Sequence, residues 1–178
     1  MWVFGYGSLM WDGWESTWGC VRRVQAKVPG YCRMFNKASI RNWGTKTCPC
    51  PTLNLVKSDS THCRGVAFEF PDDRKQEILS YLTEREGRDF VLRKLPAQLD
   101  GGDEIEAIVP IYEGKNLIRA DSVDKIAKMV LQANGKNGSC VSYVKGILDK
   151  LCSLEIDDSA VTELWKTVAQ SGRKPRAF

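Results

Sequence analysis

The order in which two hydrophobic periods follow one another limits the folds that this sequence can adopt. In the first 70 residues apolar side chains alternate with polar ones, which predicts β-strands. Helical spacing takes over in residues 71–87, the alternation returns in residues 90–112, and helical stripes follow. Because strands and helices do not alternate regularly, a doubly wound parallel sheet is disfavoured. We expect an α+β domain in which a small mixed β-barrel or sheet is flanked by helices.

The last third of the sequence predicts three amphipathic helices. Each has apolar residues at spacings of three and four, so one face can pack against the rest of the domain. The stripes are Val123, Ile126, Ala127 and Val130, then Val144, Ile147, Leu148 and Leu151, then Val161, Leu164, Trp165 and Val168. No repeat or linker divides the 178 residues, a length usual for one domain. The expected domain therefore covers residues 1–170, and residues 171–178 form a basic tail.

Composition excludes several classes of protein. No segment has the roughly 20 apolar residues that a membrane-spanning helix needs, and the N-terminus lacks the pattern of a signal peptide. We therefore expect a cytoplasmic protein without a membrane partner. The formal net charge is only +4 although 27% of the residues are charged. Because a nucleic-acid binder usually has a denser basic face, nucleic acid is not an expected partner.

The seven cysteines allow two interpretations. Their odd number and the missing secretory signal argue against a disulfide framework. A zinc site from Cys48, Cys50, His62 and Cys63 is the other possibility, but its spacing matches no common zinc motif. His62, the one histidine of the sequence, is expected in a polar turn. We expect neither a metal nor an organic cofactor.

A helix is predicted over residues 71–87, between recognisable start and stop signals. Asp73 is a natural N-cap with Gln76 three residues later, which is an approximate capping box. Gly87 is a typical residue after the last helical turn. The helix therefore ends at Glu86, directly before that glycine.

Glu86 is the candidate catalytic residue from the pattern alone. Each helical residue rotates by about 100°, so Leu79, Leu82 and Glu86 lie on nearly the same face. A carboxylate on an apolar face is costly to bury unless it is paired or its pKa rises. A raised pKa suits an acid/base that works near neutrality. The alternative is structural: Glu86 pairs with an arginine such as Arg93, or reaches solvent at the helix end.

Residues 4–9 form the second candidate site. They read Phe-Gly-Tyr-Gly-Ser-Leu, so two glycines flank an aromatic residue after a short apolar strand. Glycine permits tight turns and close approach of a ligand, and successive N–H groups can hold a carboxylate or an oxyanion. An ordinary junction between a strand and a turn explains the same pattern. Ser8 lacks a histidine base and is a poor nucleophile.

These segments together resemble the γ-glutamylcyclotransferase family, and within it the ChaC-like branch. MWVFGYGSLMW is similar to the first strand and Y-G-S-L loop of the family, and YLTEREG to its Y-L-x-x-R-E segment. FNKASIRNWGT, PTLNLV, CRGVAFEF and NGSCVSYV extend the likeness to about residue 150. The resemblance implies a small mixed β-barrel with surrounding helices and a catalytic glutamate at Glu86. It also implies substrate-binding residues, which are Tyr6, Gly7, Ser8, Leu9 and Tyr143.

The resemblance further implies an enzyme that releases 5-oxoproline from a γ-glutamyl compound, most simply glutathione. The α-amine of the substrate attacks its own γ-carbonyl, Glu86 moves the protons, and no cofactor is required. Three alternatives remain open. The chain could be a cyclotransferase for γ-glutamyl amines or γ-glutamyl amino acids, a non-catalytic metabolite-binding protein of the same fold, or an RNA-associated protein with a basic tail.

Overall fold

The computed structural model describes residues 1–87, 89–120 and 122–172. Its strands are β1 (Trp2–Gly5), β2 (Arg22–Ser39), β3 (Cys50–Glu69), β4 (Phe90–Leu99), β5 (Glu104–Tyr112), β6 (Asn134–Gly135) and β7 (Gly138–Ser139). Its α-helices are α1 (Trp14–Thr17), α2 (Lys75–Glu86), α3 (Val123–Gln132), α4 (Cys140–Ser153) and α5 (Ser159–Gly172). Short 3-10 turns lie at Ser8–Met10 and Asp72–Arg74. The predicted order of strands, helix, strands and helices is confirmed.

The chain forms two compact units. The first consists of Met1–Arg33 and Leu55–Lys115, and the second of Met34–Asn54 together with the described residues from Asn116 onward. Helix α5 includes the first two residues of the predicted tail, 171 and 172. The basic residues of that tail, Arg173, Lys174 and Arg176, lie outside the described residues. In the described ranges, no helix has both the length and the apolar character that crossing a bilayer requires.

A small closed barrel with strand order β1-β3-β2-β4-β5 forms the first unit. Strand β1 runs antiparallel to β3, with Val3 opposite Phe68, and parallel to β5, with Val3 opposite Ile108. Strands β4 and β5 form a long antiparallel pair. Apolar side chains that are almost fully buried fill the barrel, among them Phe4, Val28, Leu55, Phe68 and Val109. The predicted α+β fold with a small mixed barrel is therefore confirmed.

Two local predictions in the first unit are wrong. Residues 58–62 were expected in a turn because they are polar, but β3 continues through them. His62 is exposed there as expected, and Thr61 donates a hydrogen bond to the carbonyl of Tyr31 on β2. Pairing with a neighbouring strand decides this conformation rather than side-chain composition. The capping box at Asp73 is absent too, because a 3-10 turn precedes α2 and its N-cap residue, Arg74, makes no side-chain capping bond.

The second unit contains α3, α4 and α5, the end of β2 and the start of β3. The predicted apolar stripes are confirmed, since Val130, Ile147 and Leu164 are among their buried members. Serines begin two of the helices. Ser122 accepts a hydrogen bond from the N–H of Lys125, and Ser139 accepts one from the N–H of Ser142.

A disulfide between Cys50 and Cys140 corrects the expectation drawn from the cysteine count. Both residues are fully buried, and their Cα atoms are 5.6 Å apart. The cysteines are 90 positions apart in sequence, so only the tertiary fold brings them together. The bridge also removes Cys50 from the zinc alternative. Among the described residues, no group of three or more His, Cys, Asp or Glu side chains is placed to hold a metal ion.

Replacing Gly65 with alanine is expected to destabilise the barrel. A Cβ atom at Gly65 would lie 2.3 Å from the carbonyl oxygen of Gly5 and 2.7 Å from Cζ of Phe4. Overpacking of this kind costs about 2 kcal/mol, which corresponds to a fall in Tm of roughly 4–8 °C for a domain of this size. Thermal denaturation followed by circular dichroism measures the change. Gly101→Ala is the control, because its Cβ would meet no atom within 4 Å; equal Tm values for the two variants would contradict the close packing.

Candidate active site

The loop at residues 6–9 follows β1 and includes the first two residues of the 3-10 turn Ser8–Met10. A Cβ atom at Gly5 would lie 3.0 Å from Cβ of Leu9, so glycine allows the loop to fold back over the strand. The N–H of Met10 donates to the carbonyl of Gly7 at 3.0 Å and closes the turn. The first N–H groups of such a turn have no internal acceptor, and those of Gly7, Ser8 and Leu9 donate to no residue in the described part of the chain. These three adjacent N–H groups are therefore candidate donors to an anion.

Two arginines of β2 bind the carbonyl groups of Tyr6, at the start of this loop, and of Met10, directly after it. Arg33 is 3% exposed, and its Nε donates to the carbonyl of Tyr6 at 2.8 Å. It also donates through Nη2 to the carbonyl of Arg64. Arg23 donates to the carbonyl of Met10 at 2.7 Å. A buried cation that is satisfied by backbone carbonyls fixes the loop and adds positive potential beside its N–H groups.

The side chains of the loop differ in what they can contact. Tyr6 is 6% exposed, and its hydroxyl donates to the carbonyl of Pro110 on β5 at 2.8 Å. Leu9 is 4% exposed. Gly7 and Ser8 are half-buried. The loop therefore offers a ligand its backbone and the Ser8 hydroxyl, whereas the Tyr6 ring belongs to the barrel core.

Glu86 is the last residue of α2, and its side chain is 16% exposed. Ile78 and Leu82 on this helix are fully buried, while Leu79 is half-buried. The predicted placement of Glu86 one turn beyond a buried leucine is confirmed, with the buried face centred nearer Ile78 than Leu79. Gly87 then ends the helix with φ of +93° and donates its N–H to the carbonyl of Thr83.

An aromatic and ionic cluster, made of Asp12, Trp14, Tyr81 and Arg85, connects the end of α2 to the segment that follows the loop. Arg85 contacts Asp12 at 2.5 Å between Nη2 and Oδ2, and donates from Nη1 to the Tyr81 hydroxyl at 2.9 Å. The Tyr81 ring stacks on Trp14 with centroids 5.7 Å apart. Trp14 in turn donates from Nε1 to the carbonyl of Leu9 at 3.0 Å. This cluster fastens both the loop and the helix that ends in Glu86.

The hydrogen-bond partners of Arg85 stabilise its positive charge. Burial lowers its pKa, but the hydrogen bonds to Asp12 and Tyr81 outweigh burial and leave the pKa raised. Its Nε lies 3.5 Å from Oε1 of Glu86. Arg93, the partner proposed for Glu86 from sequence, instead forms a bidentate pair with Glu113. Among the described residues, Arg85 is thus an arginine that lies beside Glu86.

Tyr143, the remaining predicted substrate-binding residue, belongs to α4 of the second unit. It is 7% exposed, and its hydroxyl accepts a hydrogen bond from the N–H of Leu53 at 3.1 Å. Its ring packs against Trp43 with centroids 5.3 Å apart. Trp43 is half-buried. The substrate-binding role of Tyr143 stays a prediction.

Comparison with known proteins decides the family. Residues 1–171 match the family model described as ChaC-like protein. The chain belongs to the ChaC-like family. It is 28% identical to Gamma-glutamylcyclotransferase 2-3 of Arabidopsis thaliana, and the match covers 92% of this chain and 86% of the relative. It is 26% identical to the Glutathione-specific gamma-glutamylcyclotransferase of Schizosaccharomyces pombe, over 99% and 96% of the two chains.

The ChaC-like fold is also seen in a solved structure. The selenomethionine-labelled crystal structure of the yeast γ-glutamyl cyclotransferase specific to glutathione matches with a TM-score of 0.87. The match covers 99% of both chains at 20% identity. At that identity the likeness establishes the fold, and it agrees with the fold expected from the sequence.

Three residues of this ChaC-like chain were missed by sequence reasoning, namely Asp12, Trp14 and Arg33. Trp14 is one of six tryptophans, and nothing local distinguishes it from the others. Asp12 and Arg33 act through partners far away in sequence, at Arg85 and at Tyr6. The sequence offered one usable local signal for Arg85, which is that it directly precedes the candidate base Glu86; the arginine named as a possible partner from the sequence was Arg93 instead.

Replacing Arg33 with methionine is expected to destabilise this ChaC-like chain by about 3 kcal/mol. The carbonyls of Tyr6 and Arg64 would each lose a donor inside the protein, and an unsatisfied buried acceptor costs about 1–3 kcal/mol. Urea denaturation measures the difference. Arg22→Met is the control on the same strand, because Arg22 is about half exposed and pairs with Glu69 at the surface. Equal losses in both variants would show that Arg33 does not hold the loop.

Proposed function

We propose that this chain is a γ-glutamylcyclotransferase that converts glutathione into 5-oxoproline and Cys-Gly. The proposal rests on one observation. The aromatic and ionic cluster contacts both the largely buried carboxylate of Glu86 and the loop whose three N–H groups are candidate donors to an anion. The family membership of residues 1–171 supports the reaction. The name of the fission-yeast relative supports glutathione as the substrate.

The proposed reaction begins with proton transfer to Glu86. The α-ammonium group of the γ-glutamyl residue must lose a proton before its nitrogen can attack, and the Glu86 carboxylate accepts it. The nitrogen then bonds to the γ-carbonyl carbon and closes a five-membered ring. Because both reacting groups belong to one molecule, holding the chain bent supplies much of the rate acceleration.

Collapse of the intermediate completes the proposed cycle. The bond between the γ-carbonyl carbon and the cysteine nitrogen breaks, and Glu86 returns its proton to that nitrogen. The ring nitrogen releases its second proton to solvent and the released amine takes up one proton from solvent, so charge balances. The products are 5-oxoproline and Cys-Gly. The chemistry needs proton transfer and stabilisation of an oxyanion, and the proposal therefore includes no metal and no organic cofactor.

The proposed anion site is the loop at residues 6–9. The N–H groups of Gly7, Ser8 and Leu9 are suited to the substrate carboxylate or to the oxyanion that forms at the γ-carbonyl. Arg33 fixes the loop by donating a hydrogen bond to the carbonyl of Tyr6, so these donors need no rearrangement during the reaction. Tyr6 belongs to the proposed site as the residue that fixes the start of the loop, because its hydroxyl is bonded to Pro110 and its carbonyl to Arg33.

Tyr143 and the location of the protein complete the proposal. Tyr143 stays a proposed substrate-binding residue, in keeping with the resemblance of its segment to the family. We also place the protein in the cytoplasm, where glutathione is the principal thiol buffer. The substrate is then the one partner that the function requires.

Activity on other γ-glutamyl compounds is the second candidate. The name of the Arabidopsis relative does not specify glutathione, and the chemistry at the γ-glutamyl group is the same for any leaving amine. The test is a panel of glutathione, γ-glutamyl-alanine and γ-glutamyl-lysine at equal concentrations, with 5-oxoproline measured by mass spectrometry. We expect the highest kcat/KM for glutathione. A higher kcat/KM for either other compound would change the assigned substrate. Release of glutamate would indicate hydrolysis instead of cyclisation.

A further inference from the structure

We infer that Arg85 is a positioning residue for Glu86, and that Asp12 controls how strongly Arg85 engages that carboxylate. The inference rests on the proposed function, in which Glu86 is the acid/base. Arg85 contacts three groups through three different nitrogens, which are Asp12, Tyr81 and Glu86. It touches Glu86 and is not proposed to touch the reacting atoms.

The orientation of the Arg85 side chain is fixed by two of its three contacts. The guanidinium group is a rigid plane, so anchoring Nη2 on Asp12 and Nη1 on Tyr81 also sets the direction of Nε. Tyr81 is itself held between Trp14 and Trp18, with ring centroids 5.7 Å and 5.3 Å away. Glu86 therefore lies against a cation that has little freedom to move.

Arg85 interacts more strongly with the Asp12 carboxylate than with the Glu86 carboxylate, because it lies closer to Asp12. Its separation from Asp12 is 2.5 Å, which is a full charge-assisted hydrogen bond. Its separation from Glu86 is 3.5 Å, beyond the usual range for such a bond but close enough for strong attraction. A base that bound Arg85 tightly would not accept a proton from the substrate ammonium group. Asp12 therefore keeps Arg85 from capturing Glu86, while the positive charge still favours the ionised carboxylate.

The neighbouring elements contribute other charged groups, and several of these have partners of their own. On α2, Glu77 pairs with Arg74, and Glu84 is exposed. From the segment that contains α1, Glu15 lies 3.7 Å from Arg23. Directly before β4, the Asp89 carboxylate accepts a hydrogen bond from Tyr112, and within the strand Arg93 binds Glu113. In the described part of the chain, Asp12 and Arg85 are thus a charged pair next to Glu86 whose alteration tests how that pair acts on the carboxylate.

The test is the dependence of kcat/KM on pH for glutathione in the full-length protein. Activity falls on the acidic side where the base becomes protonated. Arg85→Gln removes a cation that favours the ionised base, so the pH of half-maximal activity should rise by about one pH unit. Asp12→Asn removes an anion and weakens the competing bond, so the same midpoint should fall. The plateau of kcat/KM should also drop about tenfold in Arg85→Gln, because Glu86 loses its fixed neighbour.

Two further variants separate positioning from general loosening. Arg85→Lys keeps the charge without the planar fork, and should restore the wild-type midpoint while the plateau stays reduced. Arg93→Gln removes a cation from another ion pair of the same unit, and should leave the midpoint unchanged.

Shifts of equal sign in Arg85→Gln and Asp12→Asn, or none in either, would overturn the inference even if the wild type is active. If Arg85→Gln does not fold, the direction of the shift in Asp12→Asn decides. Failure of the wild type to release 5-oxoproline would instead overturn the proposed function, and this inference with it.

Discussion

Glu86→Gln is expected to abolish 5-oxoproline formation while leaving the fold intact. The amide keeps the size and shape of the carboxylate but cannot accept the proton of the substrate ammonium group. Loss of a general acid/base typically lowers the rate by about 10²–10⁴-fold. Because Glu86 serves in both halves of the proposed cycle, we expect a loss near the upper end. The measurement is kcat for glutathione, together with the Tm of the variant.

The matched control is Glu84→Gln on the same helix. Glu84 is exposed and lies two residues before Glu86, so its replacement removes the same charge from the outer face of α2. We expect its kcat to stay within about twofold of the wild type, as surface substitutions have small effects. If both variants lose activity equally, helix charge rather than a specific base explains the result. If Glu86→Gln turns over normally, Glu86 is not the acid/base.

Removal of the disulfide has the second large expected effect. The bridge from Cys50 to Cys140 encloses a loop of about 90 residues, and cross-linking a loop of this length stabilises a protein by about 4 kcal/mol. The double variant Cys50→Ser with Cys140→Ser should therefore lose about that much free energy of unfolding, measured in urea without reductant. Adding dithiothreitol should weaken the wild type to the same level and leave the double variant unchanged.

A thiol count provides the matching control. The seven cysteines include five free thiols when the bridge is present, namely Cys20, Cys32, Cys48, Cys63 and Cys152. Titration of the unfolded protein without reductant should therefore give five thiols, and with prior reduction seven. Cys152→Ser should leave the stability nearly unchanged, because Cys152 is exposed. Seven thiols before reduction would contradict the bridge.

The helix that ends at Glu86 could be predicted because its signals are local. Apolar spacing along 71–87 and the glycine after Glu86 define where α2 lies and which side is buried. The stripes of α3, α4 and α5 follow from the same rule. The start of α2 was predicted less well, since the amino terminus pairs with Asp72 and a 3-10 turn replaces the capping box. That contact joins residues 71 positions apart, which no local pattern reports.

Arg33 illustrates why part of the candidate site could not be predicted. On β2, the buried positions before Gly30 are Ala26 and Val28, and those after it include Arg33 and Phe35. The buried face thus changes from even to odd numbers. Gly30 has φ of +73°, a conformation that suits glycine and interrupts the regular alternation of a strand. If strict alternation continued from Ala26, the Arg33 side chain would be exposed. It is instead buried, and its Nε donates to the carbonyl of Tyr6 in the loop.

Purified wild-type protein incubated with glutathione provides the decisive measurement, with 5-oxoproline and Cys-Gly quantified together over time. The proposed reaction predicts that both products appear at equal rates, and that glutathione acetylated at its α-amine gives neither, because the attacking nitrogen is then blocked. Absence of 5-oxoproline from glutathione, or its formation from the acetylated compound, would contradict cyclisation by the α-amine.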